Sequence, residues 1–155
     1  MTESYRILAY FSWSLPSKKL KLPRIYKTIE PLVIKSKFGR HDVVVVGLDR
    51  PPKAVGESYY IRLEEELNEI CHWSSLEKQF ITITGDLNLN REGKVLCDLE
   101  EVHGLECLVK KPTRVTNNSE TLLDVILTNK QELFIECDVF DPQLGTLSKP
   151  GRRRQ

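Results

Sequence analysis

FITITGDLNLN (residues 80–90) begins as an interior strand and ends in polar chemistry. Phe80, Ile81, Thr82, Ile83 and Thr84 are types that favour a pleated, half-buried strand. Gly85 lets the backbone pass with no side chain in the way. If the strand continues, Asp86 and Asn88 share a face and project together from its carboxyl end. Layered α/β proteins place ligands at such strand ends. A carboxylate there can move a proton, and a carboxamide can donate to an oxygen that gains charge. The other reading is a plain turn, because Asp and Asn hydrogen-bond their own backbone.

Working outward, DVVVVGL (42–48) is apolar on both faces, as expected of an interior strand, and LVIKS (32–36) before it is a second β-branched run. Pro51 and Pro52 stop the ladder after Asp49 and Arg50. Residues 57–73 read as a helix, with Tyr60, Leu63, Leu67 and Ile70 on one stripe and Glu64, Glu65 and Glu69 facing water. Residues 94–103 repeat the helical period through Val95, Leu96, Leu99 and Val102, and Gly104 closes it. LECLV (105–109) is a short strand and KPTRVTNNSE (111–120) a polar loop. TLLDVILTN (121–129) is a strong strand, and FIECDVF (134–140) is expected to be another. Strands interrupted by helices predict a layered α/β or α+β domain with a mixed sheet.

Asp124, set among aliphatics in TLLDVIL, needs a partner if the strand is buried. Either it lies at a fringe satisfied by backbone amides, or it orients a histidine or a cation.

The 155 residues favour one domain with a real core, 40% hydrophobic and 29% charged. A formal net charge of +1 gives no global electrostatic case for nucleic acid, although a local basic groove is compatible with it. Cys71, Cys97, Cys107 and Cys137 are scattered singly and make no zinc spacing with His41, His72 or His103. They read as reduced, mostly buried thiols in an intracellular protein, nuclear or cytoplasmic, not secreted. No apolar run reaches the length of a membrane span. Residues 1–28 carry Lys18, Lys19, Lys21, Arg24 and Lys27. The expectation is a basic, poorly ordered arm, or else a segment that touches phosphates. Residues 145–155 read as a basic tail.

The order VVVVGLDRPP (43–52), a helix, ITGDLNLN (83–90) and then KPTRVTNNSETLLDVILTN (111–129) resembles the endonuclease/exonuclease/phosphatase superfamily. It is most similar to the endonuclease domain of non-LTR (LINE-type) retrotransposons, over residues 29–144. The resemblance implies a four-layered α/β sandwich of the DNase-I-like type, truncated here, and Mg²⁺-dependent cleavage of a phosphodiester in DNA. By the same resemblance Asp86 is the acid/base aspartate beside the attacking water. Asn88 contacts the scissile phosphate, Asp124 pairs with the catalytic histidine, and Thr113 and Arg114 lie where the family meets substrate. No membrane and no small-molecule cofactor are implied.

Departures from the family pattern predict impaired chemistry. The family's first asparagine and metal-binding glutamate have no counterpart in residues 1–28, so metal ligands are not assigned and Mg²⁺ is expected to bind weakly or not at all. Asp49 stands where the family has a tyrosine. The closing Ser-Asp-His is replaced by DPQL (141–144) and GTLSKPGRRRQ (145–155). A sheet without its outer strands also leaves edges and an apolar face exposed. Three functions remain in play: a partial endonuclease domain with disabled chemistry, an active phosphoesterase or nuclease completed from elsewhere, or a nucleic-acid-binding or structural remnant using Lys110, Lys111, Arg114 and Arg152–Arg154.

Overall fold

The structure, a computed structural model, describes residues 7–51, 56–77, 80–89, 93–116 and 119–139, with the side chains of 116, 119 and 120 set aside. Its centre is a mixed six-stranded sheet. The strands are β1 (Ser17–Lys19), β2 (Glu30–Phe38), β3 (His41–Asp49), β4 (Phe80–Asp86), β5 (Glu106–Cys107) and β8 (Asp124–Thr128). They lie in the order β1-β2-β3-β4-β8-β5. A separate hairpin joins β6 (Arg114–Thr116) to β7 (Ser119–Thr121).

β3 and β4 are parallel, and every other neighbouring pair in the sheet is antiparallel. A parallel pair needs a crossover, and α1 (Glu57–Glu77) supplies it. α2 (Lys94–His103) ends at Gly104, whose left-handed φ of 60° lets its N–H reach the Glu100 carbonyl.

Strand alternation separates the two faces. Val33, Val44, Val46, Leu48, Ile81, Ile83, Val125 and Leu127 are buried in one core with Leu63, Leu67 and Ile70 of α1 and Leu96 and Leu99 of α2. Leu32, Val45, Thr82, Thr84 and Ile126 fall on the alternate positions and are only half-buried. Toward the far end of that second face a hollow of about 440 Å³ is lined by Phe38, His41, Val43, Val45, Thr82, Leu133 and Phe134. The described residues therefore supply one helical layer and one sheet, an open α+β arrangement consistent with a truncated DNase-I-like sandwich.

The arm and the last expected strand differ from the sequence reading, and the expected polar loop 111–120 holds most of the β6–β7 hairpin. Ser17–Lys19, within the expected arm, pair with β2 as an edge strand, and the chain after them docks on α1. There Glu66, 1% exposed, accepts the N–H groups of Lys27 and Thr28 and the Thr28 hydroxyl at 2.7–3.0 Å. Residues 1–6 lie outside the described part. The expected strand 134–140 is absent over 134–139, where a 3-10 turn (Gln131–Leu133) leads into irregular chain. The segment joins no strand among the described residues, and Lys111 holds Asp138 at 2.7 Å. Residues 140–144 and the expected tail 145–155 lie outside the described residues. Among those residues no helix is long and apolar enough to cross a membrane.

Candidate active site

At one end of the sheet the register lines up acidic residues on four adjacent strands. Glu30 of β2 pairs with Asp49 of β3, Asp49 with Asp86 of β4, and Asp86 with Asp124 of β8. Directly paired residues share a face, so the row falls on the side away from the helices, where the open positions of β2, β3, β4 and β8 end.

Asp86 is the last residue of β4, and Asn88 lies beyond the strand with φ at 48°. The alternation expected to carry both side chains along one strand therefore stops at Asp86. A turn replaces it: Asp86 Oδ1 accepts the Asn88 N–H at 3.2 Å. The turn reading holds, and the turn is built at the strand end. Gly85 makes this possible. Its φ is 148°, and a Cβ there would collide with the Leu48 carbonyl of β3, so the two strands close on each other just before the carboxylate.

Asp124 is exposed and opens β8 rather than lying inside a buried strand. The expected 121–129 strand is divided, Thr121 ending β7 and Leu122–Leu123 intervening. Thr113 sets this junction. Its hydroxyl oxygen accepts the N–H of Leu123 at 2.9 Å and of Asp124 at 3.1 Å. Arg114 is exposed on β6, paired in register with Thr121. Thus Asp86 pairs in register with Asp124, Asn88 lies on the turn that leaves Asp86, Thr113 holds the backbone beside Asp124, and Arg114 stands on the adjoining hairpin.

Burial raises the Asp86 pKa above the ordinary carboxylate value. The charge of Asp124 raises it further, the Asn88 N–H opposes the rise, and Asp49 adds to it. A carboxyl group shifted this way holds its proton more readily, which suits proton transfer. The histidines are elsewhere. His41 opens β3 at the far end, 5.3 Å from the Phe80 ring; His72 is on α1; and His103 Nε2 meets Asn68 Oδ1 at 2.9 Å. Among the described residues no group of three or more His, Cys, Asp or Glu side chains could hold a metal ion.

Two participants escaped the sequence reading. Arg50, taken only as part of the strand terminator, is 4% exposed. Its guanidinium donates to the carbonyls of Leu87 at 3.2 Å and Asn88 at 2.8 Å, directly beneath the turn. Glu66 lies on the apolar stripe of α1 between Leu63 and Ile70, and that position was its only sequence signal.

No protein-family model and no curated protein sequence matches the chain. Solved structures do. The endonuclease domain of TRAS1, a telomere-specific non-LTR retrotransposon, aligns over 79% of this chain and 58% of its own, with a TM-score of 0.57 at 16% identity. A β-hairpin deletion mutant of beta toxin from Staphylococcus aureus aligns over 81% of this chain and 53% of its own, with a TM-score of 0.56 at 15% identity. The chain thus shares the DNase-I-like fold and spans little more than half the length of either structure.

Proposed function

We propose that this DNase-I-like chain is a partial retrotransposon-type endonuclease domain, directed at a phosphodiester in DNA and impaired in its chemistry. The observation that carries the reading is the pairing of Asp86 with Asp124 across neighbouring strands, with Asn88 on the turn that leaves Asp86. In this reading Asp86 moves the proton of the attacking water, and its raised pKa suits that work. The Asn88 carboxamide donates to a phosphoryl oxygen as charge builds there. Burial and the negative charge of Asp124 raise the Asp86 pKa and so make ionised Asp86 the stronger base for the water's proton. Thr113 keeps Asp124 in place, and Arg114 meets the DNA backbone from the hairpin.

Impairment follows from what surrounds the row. Asp49 sets another negative charge beside Asp86, where an incoming phosphate is repelled. None of the three histidines stands at Asp124, and a histidine helper contributes roughly 10²–10⁴-fold in rate. Mg²⁺ is usually held by one or two carboxylates together with substrate oxygens and waters. We read any binding at Asp86 and Asp124 as weak and dependent on the phosphate. Lys110 and Lys111 are engaged with Glu106 and Asp138, which leaves Arg114 the better candidate of these cations for DNA.

A supercoiled-plasmid nicking assay with Mg²⁺, comparing the chain with Asp86→Ala, tests the reading. Nicking that is absent or barely above background, with salt-dependent DNA binding retained, is expected. Rapid nicking abolished by Asp86→Ala refutes the impairment, and neither nicking nor binding refutes the assignment to DNA.

A further inference from the structure

We propose that Arg50 is the positioning residue of the site, clamping the Leu87 and Asn88 carbonyls so that the turn after Asp86 holds Asn88 where a phosphate oxygen would meet it. The role rests on the functional reading above; the clamp itself rests on geometry alone.

A guanidinium removed from water is unfavourable unless its donors find acceptors. Arg50 has them on several sides. Nη1 donates to Leu87 O at 3.2 Å and Asn88 O at 2.8 Å, Nε to the Tyr59 hydroxyl at 3.3 Å, and Nη2 to the Tyr60 hydroxyl at 3.4 Å. The rings of Tyr59 and Tyr60 lie 5.4 Å and 5.2 Å from the guanidinium carbon, within cation–π range. The backbone N–H of Arg50 donates to Asp86 O at 2.9 Å. One residue therefore grips the turn at Asp86, Leu87 and Asn88.

The turn needs holding. Asn88 has a left-handed φ of 48°, which non-glycine residues adopt uncommonly. Its N–H bond to Asp86 is a single contact at 3.2 Å. A planar fork of donors can hold successive carbonyls and two hydroxyls at once, whereas a lysine ammonium is a point charge on a flexible stem. The clamp is anchored in turn. The Tyr59 hydroxyl donates to Thr28 O at 3.1 Å, and Thr28 is bound to Glu66. The docked segment after β1 and the turn after β4 are thereby joined through one partly buried polar network.

The test uses the full chain and amide hydrogen exchange by NMR. Arg50→Lys keeps the charge and removes the fork. Tyr59→Phe removes only the hydroxyl that anchors it. Val46→Ala is a control that loosens the core elsewhere on β3. Arg50→Lys should speed exchange at Leu87 and Asn88 on the order of tenfold, as for one lost hydrogen bond, with the amides of Val44 and Ile83 unchanged. Tyr59→Phe should give a smaller change at the same two amides, and Val46→Ala no selective change there. Unchanged exchange at Leu87 and Asn88 in Arg50→Lys, or an even loss across the sheet, overturns the clamp. In DNA binding, Arg50→Lys and Asn88→Ala should weaken affinity alike, and the double variant no more than either; independent losses overturn the positioning role. If the unaltered chain binds no DNA, the functional reading fails and the exchange data alone decide the clamp.

Discussion

Asp86 faces Asp124 across the antiparallel ladder between β4 and β8, and the charge of Asp124 adds to burial in raising the Asp86 pKa. Like charges directly opposite destabilise a sheet by roughly 0.2–1 kcal/mol. Asp86→Asn should therefore stabilise the chain by about that amount at neutral pH. Because the folded pKa lies above the unfolded one, the favourable contribution of Asp86 is full below its unfolded value and is lost as pH rises through the folded value. Urea unfolding from pH 4 to 7 should show the advantage of Asp86→Asn growing with pH.

Glu66 should behave with the opposite sign. Burial opposes its charge, but the Thr28 hydroxyl, the Thr28 and Lys27 N–H groups and the charge of Arg24 outweigh burial and lower its pKa. Its contribution is full above the unfolded value, near about 4.3, and is lost as pH falls through the folded value. Glu66→Gln should cost about 1.5–3 kcal/mol at pH 7. Chemical denaturation should show that deficit shrinking in acid, as the native carboxylate takes up its proton.

Gly85 is predicted to tolerate no side chain. Its φ of 148° and the Leu48 carbonyl in the path of a Cβ act together. Gly85→Ala should cost about 1–3 kcal/mol from backbone strain alone, with a further loss from pushing β3 and β4 apart. A thermal melt equal to that of the unaltered chain would show that β3 and β4 do not close so tightly.

Thr113 should matter through its oxygen. Thr113→Val keeps the shape but leaves the N–H groups of Leu123 and Asp124 without their acceptor. A loss of about 0.5–1.5 kcal/mol is expected, since the donor of Leu123 is part-buried and that of Asp124 exposed, while Thr113→Ser should retain most of the stability. Equal unfolding midpoints for the two variants would assign Thr113 no part in holding Asp124.

The sequence carried the features that repeat along the chain. The β-branched run of β3, the α1 stripe through Leu63, Leu67 and Ile70, and the Gly104 stop of α2 are local patterns that the structure has, although Tyr60, read into the same stripe, is exposed. Asp86 and Asp124 stood out because charge interrupts such patterns. Features that depend on distant partners were not legible. Glu66 is buried because Lys27 and Thr28, far away in sequence, bring it donors. Arg50 is buried because the turn after β4 offers carbonyls. FIECDVF has strand-forming residues, but a strand also needs a distant partner to pair with, and residues 134–139 join none. Asn88 was placed on the face of Asp86 by extending a period that the turn after Gly85 breaks.

The convergence of the two aspartates is tested most directly by following the Asp86 side-chain carboxyl carbon through a pH titration by NMR, with and without Asp124→Asn. The expected result is an Asp86 midpoint above the ordinary aspartate range that moves down when Asp124 loses its charge. A midpoint indifferent to Asp124→Asn would mean that these carboxylates do not share one site.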